Sequence, residues 1–340
     1  MGYATGVCTS FEDIKNAITT LAQPAGWSIT TDTAGKTVLY KDNLYVMIDM
    51  GMWTYHGANV YDCVRITGRT SLSSGDTPTA VGITDFYHYS GYSYPQVGRV
   101  QFPVTYHCFY YSDVDEFYFV VKYNYNYQYI AFGKSNINLP GTGLWVAGTA
   151  ACSGNATSSE GSSSNRSYRP MHVDMNIYGE VSNNVEVTRV SPAIFWLARR
   201  TGYITSYPQA ERNCWIHHNI NGDPWAPAKT NNYTDAVGIT CLERYIRSQP
   251  QQANNQSMLL PIVVYKTCSV YDNTYYHIAT LQKARHIMIN YLDPETVITN
   301  GNEQWMVFPW LRKVQTDIYT TSIVYSNHTA NYGWAIKKEA

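Results

Sequence analysis

Three groupings in this 340-residue chain combine residue types and spacing that could do chemistry. Cys214-Trp215-Ile216-His217-His218 sets a thiol and an imidazole three positions apart, the start of a metal site. On an extended segment His217 and His218 point to opposite faces, and no second thiol-imidazole pair lies nearby, so a structural role is expected and no metal. Asp113, Asp115 and Glu116, and again Asp293, Glu295 and Glu303, could supply the two acids of a glycosidase. Acidic residues between aromatic strands are more simply turn residues. The third grouping is aromatic: exposed Tyr and Trp can stack sugar rings or bases. The basic residues Arg65, Arg69, Arg199, Arg200, Arg244, Arg247, Arg312 and Lys313 are scattered, without the groove a nucleic acid needs. The chain has no glycine-rich phosphate loop, G-x-S-x-G turn, H-E-x-x-H or EF-hand loop. No catalytic residue and no cofactor is expected; the chain reads as a non-enzyme.

Composition points the same way. Tyrosine takes 31 positions, while Asp, Glu, Lys and Arg make up 14% of the chain, against about a quarter in ordinary soluble domains. Rings with a wet hydroxyl and few charges suit half-buried sheets and interfaces. The net charge of −1 gives no field to draw phosphate backbones or anionic lipid. No apolar run approaches the roughly 18 residues of a membrane span, and no signal peptide opens the chain, so neither nucleic acid nor membrane is an expected partner. Seven cysteines without close C-x-x-C pairs read as free thiols of a reducing cytoplasm, with pairing within or between subunits left open.

The elements that must carry these residues read as mainly β, an antiparallel sandwich or meander sheets with one N-terminal amphipathic helix. Phe11, Ile14, Ala17, Ile18 and Leu21 recur at helical spacing after Ser10 as N-cap, and Pro24 with Gly26 stops the run. Strands follow over 27–31, 37–40, 44–50, 60–66, 100–111 and 116–129, with a hairpin at Ser112-Asp113-Val114-Asp115. The alternation of Tyr123, Tyr125, Tyr127 and Tyr129 predicts a tyrosine ladder on one face and a solvent-compatible opposite face. Residues 153–167, almost wholly Ser, Gly, Asn and Thr, read as a loop. The division is therefore 1–151, a linker over 152–168, and a β-rich 169–340, or one elaborated domain. Later strands are placed at 193–198, 214–220, 259–267, 275–280, 286–291, 305–310 and 334–336, with a helix near 237–247.

Several motifs in order resemble a set of virion structural proteins from tailed bacteriophages. They are Gly26-Trp27, Ala131-Phe132-Gly133, Leu139-Pro140-Gly141-Thr142-Gly143, the run from Arg212 to Gly222, Leu259-Leu260-Pro261-Ile262, the run from Trp305 to Lys313, Asn327-His328-Thr329 and Gly333-Trp334-Ala335-Ile336. The resemblance implies a particle component of the tail, baseplate or neck, made in the host bacterial cytoplasm and then assembled into the virion. Its partners would be copies of itself and other virion proteins. The alternatives are a receptor- or glycan-binding module at the tail tip, or a head-surface decoration protein. Trp305, Phe308, Trp310 and Arg312, with Tyr123, Tyr125, Tyr127 and Tyr129, are the candidate interface residues, from their aromatic and arginine content.

Overall fold

A computed structural model describes residues 2–55, 58–77, 80–84, 100–152, 214–222, 224–227, 252–253, 256–267, 275–313 and 332–338. The expected loop 153–167, strand 193–198, helix 237–247 and Asn327-His328-Thr329 lie outside them. In chain order the first half holds β1 (Gly2–Cys8), α1 (Phe11–Ala22), β2 (Ser28–Thr31), β3 (Thr37–Lys41), β4 (Leu44–Tyr55), β5 (Ala58–Arg69), β6 (Ala80–Thr84), β7 (Val104–Tyr111), β8 (Glu116–Tyr123), β9 (Asn126–Lys134), β10 (Leu144–Gly148) and β11 (Ala150–Cys152). The second holds β12 (Cys214–His217), β13 (Trp225–Pro227), β14 (Gln252–Ala253), β15 (Gln256–Ser257), β16 (Leu260–Thr267), β17 (Tyr275–Met288), β18 (Val297–Asn300), β19 (Glu303–Pro309) and β20 (Tyr332–Lys338).

These strands make a central seven-stranded sheet in the order β1-β7-β8-β9-β10-β12-β13. A six-stranded sheet, β11-β6-β5-β4-β3-β2, and a five-stranded sheet, β16-β17-β20-β19-β18, flank it, with a small ribbon of β14 and β15. All the pairings are antiparallel. Alternation along the central strands assigns the layers. Phe132 on β9 meets Trp27 ahead of β2, and Gln128 reaches Thr84 on β6, whereas Tyr127 and Tyr129 turn the other way, to Phe308, Trp310 and Trp334. The central sheet is covered on both faces, giving a three-layer β stack. This is why Phe117-Tyr118-Phe119-Val120-Val121 is an unbroken apolar run: over these residues neither face of β8 meets water.

The expected helix is present. Ser10 Oγ accepts the Asp13 N–H at 3.1 Å, Phe11, Ile14 and Ile18 are buried, and Gly26 at φ 88° takes the left-handed conformation that ends the turn. It is not, however, the first element. β1 precedes it, a strand that sequence patterning passes over because Gly-Tyr-Ala-Thr-Gly-Val-Cys lacks alternation; only its seven-residue register with β7 makes it a strand.

The tyrosine ladder needs a second correction. The chain reverses within it, since β8 ends at Tyr123 and β9 begins at Asn126, with Asn124 at φ 52°. Asn tolerates this left-handed turn conformation better than most residues. The polar face is not solvated either: Asn126 and Gln128 are buried. Gln128 exchanges two hydrogen bonds with the Thr84 backbone and donates a third to the Tyr123 hydroxyl, tying two layers together. Likewise, the two strands expected over 275–280 and 286–291 are one long β17, irregular where its register with β16 shifts between Pro261 and Val263.

One main apolar cluster runs from Cys8 to Ile336 and so takes residues from both sides of the expected linker. β12 and β13, beyond that linker, complete the central sheet begun before it.

Candidate functional site

The candidate interface residues converge, but chiefly inside the molecule. Tyr127 lies 5.9 Å from Phe308, and Tyr129 lies 4.8 Å from Trp334 and 6.2 Å from Trp310. Trp310 and Trp334 stack at 4.9 Å, and Tyr118 meets Trp334 edge-on at 5.8 Å. Each such pair adds about 0.5–1.5 kcal/mol beyond the area it buries. Tyr123 is buried on the opposite face, against the six-stranded sheet. Trp305, one position out of phase with Phe308 and Trp310, joins Ile287, Ile289, Val307 and Ala335 in a second cluster on the other face of its sheet, under the Arg285 guanidinium. Of the eight candidates, six are therefore core residues of the chain itself. Among the described residues, rings of the kind expected at contacts between copies are largely covered by the chain's own outer layers.

Two candidates stay at the surface, and together. Tyr125, at the β8–β9 tip, is 77% exposed, and the Arg312 guanidinium lies 5.8 Å from its ring. The neighbouring Lys313 donates to the Leu292 carbonyl at 2.7 Å, which fixes the loop bearing Tyr291, 86% exposed. Two exposed rings and two cations thus share one end of the stack.

Four of the six carboxylates considered for catalysis, Asp113, Asp115, Glu116 and Glu295, are fasteners between layers. Glu116 is 1% exposed; its carboxylate accepts the N–H groups of Gln282 (2.7 Å) and Lys283 (2.8 Å) and the Tyr118 hydroxyl (2.9 Å). Those two amides fall where β17 slips register, so a side chain supplies the acceptors that the ladder lacks. Burial pushes the Glu116 carboxyl up despite these bonds. At the same hairpin Asp113 pairs with Lys283 and Asp115 with Lys41, so the expected turn grips both outer layers.

Glu295, at φ 70°, does the equivalent at the far end of the seam. It accepts the Tyr127 hydroxyl at 2.6 Å, pairs with Lys122 at 2.5 Å and lies 3.3 Å from His107 Nε2, whose Nδ1 contacts the Tyr3 hydroxyl at 2.8 Å. Hydrogen bonding to His107, then to Lys122 and Tyr127, holds its carboxyl down, at about 2. Glu303 is a surface partner of Lys337 at 2.7 Å.

The Cys214–His218 segment is β12 and the turn after it. His217 Nδ1 accepts the Thr142 N–H at 2.8 Å, and His218 Nδ1 accepts the Ile220 N–H at 2.9 Å. The His217 ring ties β12 to the β9–β10 loop and the His218 ring holds the β12–β13 turn, and the buried Cys214 thiol is pushed up by desolvation. Cys8, Cys108 and Cys214 are buried free thiols; Cys241 and Cys268 lie outside the described residues. Arg65 and Arg69 pair with Asp49 and Asp32, whereas Arg199, Arg200, Arg244 and Arg247 lie outside the description. A shallow cleft of about 270 Å3 lies beside the β9–β10 loop, lined by Asn43, Lys134, Asn136, Asn138 and Thr142. No helix of the described residues is long and apolar enough to cross a membrane. Compared with known proteins, the chain matches no family model and no curated protein.

Proposed function

We propose that this chain is a structural component of a tailed-bacteriophage particle, in the tail, baseplate or neck, acting through protein–protein contact and without catalysis. The observation that carries the reading is the surface group of Tyr125, Tyr291, Arg312 and Lys313. Tyrosine and arginine are the residues that dominate binding energy at protein interfaces. These sit on a β frame whose polar groups are used as fasteners. The ordered motifs resembling virion proteins supply the setting.

The test is to label intact particles with antibody against this chain and to quantify it in gradient-purified virions. A fixed stoichiometry and label at the tail support the proposal; recovery only in the soluble lysate overturns it. A second reading, a glycan-binding module at the tail tip, draws on the cleft of Asn43, Asn136 and Asn138, whose amides suit sugar hydroxyls. Glycan-array binding that is lost in Asn136→Ala and kept in Tyr125→Ala selects that reading.

A further inference from the structure

The edges of the three sheets differ in how they are closed to other chains. An edge strand presents unpaired N–H and C=O groups and is ordinarily blunted by shortness, proline, lysine, a bulge or a covering segment. β2 has four residues and β11 three; β13 ends in Pro227; β16 carries Pro261 and register shifts; β18 is approached by β15, where the Asn300 amide reaches the Ser257 carbonyl. Among the described residues, β1 has none of these devices. It is seven residues long, Gly2-Tyr3-Ala4-Thr5-Gly6-Val7-Cys8, without charge or proline, and pairs with β7 in unbroken register. It ends the strand order of the central sheet, with no strand on its far side among the described residues.

Its side chains leave the edge flat as well. The Tyr110 and Tyr106 rings of β7 lie over Gly2 and Gly6 so closely that a Cβ at either glycine would strike them. Glycine is thus required for the rings to fold onto the edge strand, as in aromatic shielding of edge glycines. On the other face Val7 is 63% exposed.

We propose that β1 is a self-pairing edge: two copies of this chain join antiparallel along Gly2–Cys8, about a two-fold axis, making one continuous fourteen-stranded sheet from two seven-stranded ones. A second copy is the fitting occupant: the edge carries no charge and so meets no like-charge repulsion against itself, and its seven residues, unbroken in register with β7, can pair with their own antiparallel copy along their full length. The inference rests on the reading of the chain as an assembly subunit and assigns the contact between its copies.

The test is sedimentation of the full chain from about 1 to about 100 micromolar, a range that covers modest interfaces, beside the edge-guarding variants Val7→Lys and Thr5→Lys. Both sites are exposed, so the monomer fold is kept, which circular dichroism verifies. The expected result is a concentration-dependent dimer whose dissociation constant rises by about tenfold or more in the variants, with amide exchange of residues 2–8 slowing as wild-type concentration rises. A wild-type monomer throughout, a dimer indifferent to both lysines, or unchanged exchange at β1 each overturn the pairing. Particle labelling decides the virion reading separately, so the two fail independently.

Discussion

Two buried or half-buried carboxylates, Glu116 and Glu295, respond to acid in opposite directions. Glu295 is depressed to about 2 from an ordinary 4.5, so its contribution is full above pH 4.5 and lost as pH falls towards 2. Glu295→Gln should lower stability by about 2 kcal/mol at neutral pH, allowing for partial exposure. Its urea midpoint should converge with that of the wild type near pH 2. Glu116 is raised, so its contribution is greatest below pH 4.5 and falls as pH rises through its folded value. The stability difference between wild type and Glu116→Gln should therefore grow on acidification. Glu116→Ala, which orphans the Gln282 and Lys283 amides, should cost about 3 kcal/mol at neutral pH by urea titration. Neither role was legible from sequence. Both acids stand at or beside turns, as acidic residues commonly do, and their partners are 166 and 168 residues away in the chain for Gln282 and Tyr127 respectively.

Among the elements, the β8–β9 hairpin and the seam above it define how the layers hold. Asn124 occupies a left-handed position, so Asn124→Gly should leave the melting temperature within about 2 °C, whereas Asn124→Val should lower stability by about 1–2 kcal/mol. Trp334 touches Tyr118, Tyr129 and Trp310; Trp334→Ala should cost about 3–5 kcal/mol through the cavity it opens, measured by chemical denaturation. The period-two pattern from Tyr123 to Tyr129 was visible, but alternation alone is blind to a two-residue reversal inside it. The helix was legible because its cap, its apolar spacing and its stop signal are all local. β1 was not, because its partner β7 begins about a hundred residues later.

For the whole molecule, three stacked layers fit a chain poor in charge. A sheet sealed on both faces needs few ionised residues, and among the described residues several of those present join layers, as in Lys122–Glu295, Lys283–Asp113 and Lys41–Asp115. Tyr125→Ala, at an exposed tip, should leave the folding midpoint unchanged within about 0.5 kcal/mol while reducing incorporation into particles, read from the virion-to-lysate ratio. The sequence by itself determined the β class, the helix, the 112–115 turn and the richness in interface-type residues, because propensity, capping and periodicity act over a few positions. Only tertiary structure decided which rings face outward. Covering the central sheet by β19 and β20 turns Tyr127, Tyr129, Phe308 and Trp310 into core and leaves Tyr125, Tyr291 and Arg312 at the surface. Burial is a relation between segments far apart in the chain, and no local pattern encodes it.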